Sequence, residues 1–219
     1  MARTNHHSWR AYDPGSFGNS MKFVIPTGRL FYTSLRFLDS IGILIQPEDR
    51  KLIFNYNDFT VISVKPDDVP YFVGLGGLGI CGLDTVMEIN RNLLMLKRLD
   101  CSRYRLSVIS SMEYDLEDLD GKTVATRHAR ITREFFNKLG INIKILKLHG
   151  ALEVAPLTGV ADAIVDIIDT GNTIKKNGLI EIKKIMDINP WVISNKRFFY
   201  ENEDEIKLLL KGGFQVGYI

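Results

Sequence analysis

The stretch Ala163-Ile164-Val165-Asp166-Ile167-Ile168 constrains the fold more than any other part of the chain, because a short, largely β-branched apolar run reads as a buried strand. It gives way at once to the polar turn Asp169-Thr170-Gly171-Asn172-Thr173. Such a turn lets backbone N–H groups converge on a phosphate, with Gly171 permitting φ > 0 and Thr170 and Thr173 offering hydroxyl donors. Taken alone, it fits equally well as an ordinary strand-to-helix connection with an N-cap threonine and a brief helix ending at Asn177-Gly178. Asp166 tips the balance, since a buried strand avoids an acid unless that acid has a partner or a task. An anion cradle with a carboxylate just below it repels a simple anion. It suits a ligand that also carries sugar hydroxyls or a divalent metal, that is, a phosphorylated sugar.

Around this element, short apolar runs alternate with amphipathic segments. Strands are expected at Lys22–Ile25, Lys51–Phe54, Phe59–Val64, Leu78–Cys81, Arg105–Ser110, Lys122–Ala125, Asn142–Leu148 and Asp162–Ile168, with a hairpin turn around Asn55–Asp58. Helices are expected at Leu30–Ile41 before Gly42, Pro66–Val73, Leu83–Asn90, Ile131–Leu139 before Gly140, Ala151–Leu157 and Glu201–Leu210, with Glu181–Ile193 mainly extended. The alternation implies parallel α/β sheets in two groups and a ligand cleft between them. The expected organisation is one lobe from residues 21–103 plus 185–211 and a second from 104–184 that carries the sugar-phosphate loop. The chain would cross near residues 102–104 and return near 180–186. Residues 1–20, polar and bearing His6-His7, look like an appended leader with Met21 as the native start, and the tail after Lys211 looks similarly arbitrary.

Composition narrows the function. With 45% hydrophobic residues, 25% charged residues and a net charge of +2, the chain offers no electrostatic case for a nucleic-acid or membrane partner. Uncharged apolar stretches fall short of the ~18 residues of a membrane span. The two cysteines, Cys81 and Cys101, suit a reducing compartment and neutral packing.

Other motifs carry less. Pro26-Thr27-Gly28-Arg29 follows the first strand and opens the first long helix, a second place where N–H groups and a guanidinium can meet an anion. In isolation a solvated turn is the better reading; opposite a second such loop, Gly28 and Arg29 become half of a facing pair. Gly74, Gly76 and Gly79 spell G-x-G-x-x-G, but the residues before them do not form a clean strand, so the match is a decoy. His128 and His149 are not at metal-ligand spacing, and no metal site is read in the protein. Glu153 lies ahead of the key strand and is either a solvated residue or a substrate contact. Arg127, Arg130 and Arg133 are a solvated helix start or, for one of them, a phosphate ligand.

The stretch Glu153 to Ile174, EVAPLTGVADAIVDIIDTGNTI, resembles the ATP phosphoribosyltransferases that catalyse the first step of histidine biosynthesis. Ile25–Leu30, Val64–Pro70, Val124–Arg127 with Thr132-Arg133, and Asn177–Leu179 extend the resemblance over roughly residues 21 to 200. The chain departs from the family pattern at Thr27, where a lysine is usual, at Gly77, where an aspartate is expected, and at Asp169, commonly a small residue. It also lacks the C-terminal regulatory domain of the long form, and so is similar to the short form, the catalytic subunit.

The resemblance implies an α/β fold with the two-lobed, type II periplasmic-binding-protein-like architecture and a central cleft. It implies a cytoplasmic glycosyltransferase that joins N1 of ATP to C1 of phosphoribosyl pyrophosphate (PRPP) and releases pyrophosphate. Thr170, Gly171, Asn172 and Thr173 would hold the 5′-phosphate, with Gly28 and Arg127 as further substrate contacts. Asp166 and Glu153 would face the ribose, Arg29 would stabilise pyrophosphate or triphosphate, and Mg²⁺ would ride mainly on the substrate pyrophosphate. A homo-oligomer, and a separate regulatory subunit similar to histidyl-tRNA synthetase, are the implied partners. Two rival readings remain at this point. One is a type I phosphoribosyltransferase acting on a free base, although Val165 stands where those enzymes carry a second acid. The other is a two-lobed protein that binds a small anion without chemistry.

Overall fold

A computed structural model describes residues 21–89, 92–100, 104–210 and 217–218. Residues 1–20, Cys101, residues 102–103 of the crossing expected near 102–104, and most of the tail therefore lie outside the described residues. Strands β1 (Met21–Pro26), β2 (Ile53–Tyr56), β3 (Phe59–Val64), β4 (Leu78–Gly82), β5 (Leu93–Arg98), β11 (Pro190–Asn195) and β12 (Gly217–Tyr218) form one sheet in the order β12-β5-β11-β4-β1-β3-β2. A second sheet, β10-β6-β9-β7-β8, is built from β6 (Tyr104–Ser110), β7 (Thr123–Thr126), β8 (Lys144–Lys147), β9 (Ala163–Ile168) and β10 (Ile180–Ile188).

Alternation along each strand decides which helices cover which face. From β1, Phe23 and Ile25 enter a core with Leu38 of α1 (Phe31–Ser40), Phe199 of α7 (Lys196–Glu201) and Ile206 of α8 (Glu203–Leu209). Val24 points the other way, to Val69 and Val73 of α2 (Val69–Gly74) and Val86 of α3 (Leu83–Ile89). The second sheet repeats this arrangement. Ala163 and Val165 of β9 pack with Ile131 and Phe136 of α4 (Ala129–Lys138). Ile164 and Ile168 pack with Ala155 of α5 (Val154–Leu157) and Ile174 of α6 (Asn172–Lys176). Asp166 shares the parity of Ile164 and Ile168 and so belongs to the face that α5 and α6 cover. Val165 is fully buried on the opposite face.

Both sheets are mixed rather than parallel. β1 pairs in parallel with β3 and β4, and β7 with β8 and β9. β11 runs antiparallel to β4 and β5, and β6 antiparallel to β9 and β10. β2 also runs antiparallel to β3, joined to it by the hairpin turn at Asn57. β10 stays with the second sheet through Ile188, past the boundary expected at residue 184, and the chain re-enters the first sheet at Pro190. The final helix expected at Glu201–Leu210 is α8, and Asn202 separates it from α7, which was not expected from the sequence. Gly217–Tyr218 of the tail add an edge pairing to β5. The three glycines of the G-x-G-x-x-G match lie at the end of α2, in the turn after it and inside β4, so they make no strand-turn-helix cradle. Among the described residues, no helix is long and apolar enough to cross a membrane.

Candidate active site

The carboxyl-terminal ends of β1 and β9 carry the two glycine turns, and both open into the space between the sheets. After β1, Thr27 donates its backbone N–H to the Val64 carbonyl (2.7 Å), Gly28 takes φ +74°, and a short 3-10 turn leads into α1. Arg29 leaves this turn and crosses to the second lobe, its guanidinium carbon 4.5 Å from the centre of the Tyr104 ring. After β9, Gly171 takes φ +79° as the N-cap of α6, and the Asn172 N–H donates to the Thr170 hydroxyl at 3.4 Å. The first backbone N–H groups of α6 have no partner within the helix, which is the arrangement an anion requires.

Two cavities meet at these turns. One, of ≈ 410 Å³, is lined by Gly28, Arg29, Asp84, Arg127, His128 and Asp166. The other, of ≈ 290 Å³, is lined by Arg29, Tyr104, Glu153 and the whole loop Asp169–Thr173. Arg29 and Ile167 border both, so the two are neighbouring parts of one cleft. Asp166 forms part of its floor, where one carboxylate oxygen accepts the backbone N–H of Ile167 (2.8 Å). Burial pushes the Asp166 carboxyl above its ordinary pKa and the like charge of Glu153 adds to this, while the Ile167 N–H, His128 and Arg127 pull it back. Asp166, Glu153, Arg29, Gly28, Arg127 and Thr170–Thr173 are therefore gathered around one cleft.

Asp84 and Glu88 were not singled out from the sequence, and His128 was weighed there only as a metal ligand. Asp84 and His128, each with a side chain only 7% exposed, face each other across the lobes with His128 Nε2 4.0 Å from Asp84 Oδ2, beyond hydrogen-bond distance. His128 Nε2 is buried and has no hydrogen-bond partner. Arg127 pairs with Asp67 of the first lobe (3.1 Å). The Glu88 carboxylate of α3 accepts the N–H groups of Arg130 (3.0 Å) and Ile131 (3.2 Å), capping α4 from the opposite lobe. Arg130 thus belongs to a clasp between the lobes rather than to a phosphate site, its side chain donating to the Met87 carbonyl and pairing with Glu134. The signal for Asp84 and Glu88 was available: acids at i and i+4 on a helix that directly follows a buried strand.

Gly77 has a local reason for its departure from the family pattern. It takes φ +131°, and a Cβ there would stand 2.8 Å from the Lys22 carbonyl oxygen, so no side chain fits. Cys81 is buried, and burial pushes its thiol well above the ordinary range, leaving it an inert packing residue. Among the described residues, no group of three or more His, Cys, Asp or Glu side chains is placed to hold a metal ion.

The comparisons with known proteins agree with this geometry. The family model described as HisG, ATP phosphoribosyltransferase, matches residues 65–212. An ATP phosphoribosyltransferase of Pyrococcus furiosus is 40% identical over 189 residues, covering 83% of this chain and 93% of that one. The Petrotoga mobilis ATP phosphoribosyltransferase is 43% identical over 176 residues, covering 78% and 84%. The solved ATP phosphoribosyl transferase (HisG:HisZ) complex of Thermotoga maritima superposes with a TM-score of 0.76 at 26% identity, covering 86% of this chain and 96% of that one. With its two-lobed type II architecture, the chain belongs to the ATP phosphoribosyltransferase family.

Proposed function

We infer that the protein joins N1 of the adenine of ATP to C1 of PRPP with release of pyrophosphate, the entry step of histidine biosynthesis, and that the cleft between the lobes is where this happens. One observation carries the reading: two glycine turns, one backed by a guanidinium and one by the amino end of a helix, flank the same cleft with a partly desolvated carboxylate in its floor.

The 5′-phosphate of PRPP sits on the N–H groups and hydroxyls of Thr170–Thr173, opposite the amino end of α6. That places the ribose over Asp166 and Glu153. As the C1–O bond to pyrophosphate lengthens, the ring becomes cation-like, and the two carboxylates oppose that charge. The adenine N1 lone pair forms the new bond while the departing oxygen takes the electrons of the old one. Arg29, held over Tyr104, meets the negative charge on pyrophosphate or the triphosphate, where a guanidinium grips two oxygens at once. Gly28 lets the backbone approach the same group, and Arg127 flanks the cleft beside it. No side chain need act as nucleophile; positioning and electrostatics supply the rate.

Enzymes of this family use a divalent metal. Among the described residues the cleft holds carboxylates but no three-ligand cage, which suits Mg²⁺ carried on the pyrophosphate of PRPP, where it would spread the charge of the leaving group. The relative's complex with HisZ supports a regulatory subunit of that type for this chain, and a biosynthetic role supports the cytoplasm as its compartment. The assay is direct: pyrophosphate release from PRPP in the presence of Mg²⁺, with ATP against free purine and pyrimidine bases, and with and without a HisZ-type subunit. Release with ATP is expected. Tight PRPP binding with no release under any of these conditions overturns the reading in favour of a binding protein.

A further inference from the structure

The loop Asp169–Thr173 is short and Thr170 and Asn172 are exposed, yet a cradle made of backbone N–H groups works only if the backbone stays in place. Its own contacts tie its second half to α6, the Gly171 carbonyl accepting the Lys175 N–H (3.0 Å) and the Thr173 carbonyl accepting Asn177 Nδ2 (2.8 Å), while in its first half the Asn172 N–H meets the Thr170 hydroxyl at only 3.4 Å. One side chain from another strand reaches its backbone. Arg105 of β6 donates from Nη1 to the Asp169 carbonyl at 3.3 Å.

That donor is not free to wander. The other edge of the same guanidinium is fixed by Glu181 of β10, with Nε to Oε1 at 2.7 Å and Nη2 to Oε2 at 2.6 Å. Ser107, fully buried, donates its hydroxyl to the same Glu181 Oε1 at 2.7 Å. Ser107 stands directly opposite Asp166 in the β6–β9 ladder, and Arg105 opposite Ile168. The network thus lies on the same sheet face as Asp166, behind the floor of the cleft, and ends at the first residue of the anion loop. A bidentate pair holds the planar fork in one orientation, so the third donor points at one place. The mutual hydrogen bonds lower the Glu181 carboxyl pKa and raise that of Arg105, which keeps both charged wherever the enzyme would work.

We propose that Arg105, clamped by Glu181 and Ser107, is a positioning residue that pins the Asp169 carbonyl and thereby preorganises the loop for the 5′-phosphate of PRPP. This rests on the phosphoribosyltransfer reading above. It assigns Arg105 no contact with substrate. Its effect is on the free energy of ordering the loop, so it falls on PRPP and not on ATP.

The test compares wild type with Arg105→Lys, Glu181→Gln and the double variant. Lysine keeps the charge but cannot hold Glu181 with two donors and reach Asp169 with a third. The expected result for Arg105→Lys is a rise of about tenfold in KM for PRPP, the size of one lost charge-assisted contact, with KM for ATP within twofold. Glu181→Gln, which frees the guanidinium to rotate, should give a smaller rise in the same constant. The double variant should be no worse than Arg105→Lys alone, because the two act as one unit. Amide exchange at Asn172–Ile174 should speed up in each variant while β9 keeps its protection. Equal rises in both KM values, or a fall in melting temperature with PRPP KM unchanged, overturn the proposal. Wild-type turnover is measured in the same experiment: its absence defeats the enzymatic reading, whereas normal wild-type turnover with insensitive variants defeats only the clamp.

Discussion

The two glycine turns that frame the cleft have the same local shape and opposite equipment. Gly28 and Gly171 both follow a buried strand and both take φ near +75°, at +74° and +79°. The first turn delivers a long cationic side chain that crosses to the other lobe and rests on Tyr104; the second presents backbone N–H groups at the start of a five-residue helix. The first is tied to its sheet through Thr27 N–H and the Val64 carbonyl, the second through Arg105 and the Asp169 carbonyl. In the proposed reaction, a phosphate that must be held still would meet a cradle of backbone, and a leaving group that moves would meet an arm on rotatable bonds. The lesson is that the same turn serves different chemistry according to whether a side chain or the backbone does the binding.

The largest effect should come from the residue between the turns. Asp166→Asn is expected to lower kcat by roughly 10²–10³, the scale of removing one preorganised electrostatic contact to a transition state. The same change should stabilise the fold. Because burial raises the Asp166 pKa, the folded state holds that proton more tightly than the unfolded chain does, so ionisation costs stability at neutral pH. That cost is relieved as pH falls through the raised pKa. The melting temperature of Asp166→Asn should therefore exceed wild type at pH 7 and converge with it in acid. Wild-type kcat should show an acid limb as the carboxylate is protonated, at a pH above that of an ordinary aspartate, and the variant should lack it. A variant that melts higher yet keeps full turnover would separate Asp166 from the reaction.

Arg29 comes next. If the first turn acts through its side chain, Arg29→Ala should lower kcat/KM by about 10²-fold, in the range of 2–5 kcal/mol that losing a buried charge partner costs, discounted for the exposure of this arginine. Arg29→Lys should recover only part of it, since a lysine grips as a point charge. In the second turn the corresponding experiment is Asn172→Ala, whose backbone N–H survives, and PRPP affinity by calorimetry should change less than about threefold, as for an exposed side chain that makes no essential contact. A large loss there would mean that the loop also binds through side chains.

Much of this was legible before any coordinates. Asp166 and Thr170–Thr173 stood out because an acid in an apolar β-branched run and a hydroxyl-glycine turn both break local patterning. β3 runs Phe59–Val64 as expected, since alternation and the turn at Asn57 specify it from both ends. β5 was not legible. Its sequence, Leu93-Leu94-Met95-Leu96-Lys97-Arg98, is made of good helix formers, and only burial between β11 and β12 makes it a strand. The mixed strand directions were missed for a related reason: local periodicity says nothing about which neighbour a strand will find. The clasp formed by Asp67–Arg127, Asp84–His128 and Glu88 with the amino end of α4 was hidden too. Each partner sits more than forty residues from the other, so nothing in local spacing announces the pairing.

The smallest effect tests the comparison most finely. A Cβ at Gly28 would meet nothing within 4 Å, and one at Gly171 would touch only Ile168 Cγ2 at 3.8 Å. Alanine is therefore accepted sterically at both positions and opposed only by the left-handed backbone, at a cost of about 1 kcal/mol each. Gly28→Ala and Gly171→Ala should accordingly lose similar stability in urea unfolding. Their consequences for binding should differ. At position 171 any relaxation toward negative φ turns the α6 N–H groups away from the phosphate, so PRPP affinity should fall by several-fold. At position 28 the same relaxation moves the base of a flexible arm that can still reach, and PRPP affinity should change less than twofold. Equal losses of stability with unequal losses of affinity would show that the backbone itself is the ligand in one turn and only a mount in the other.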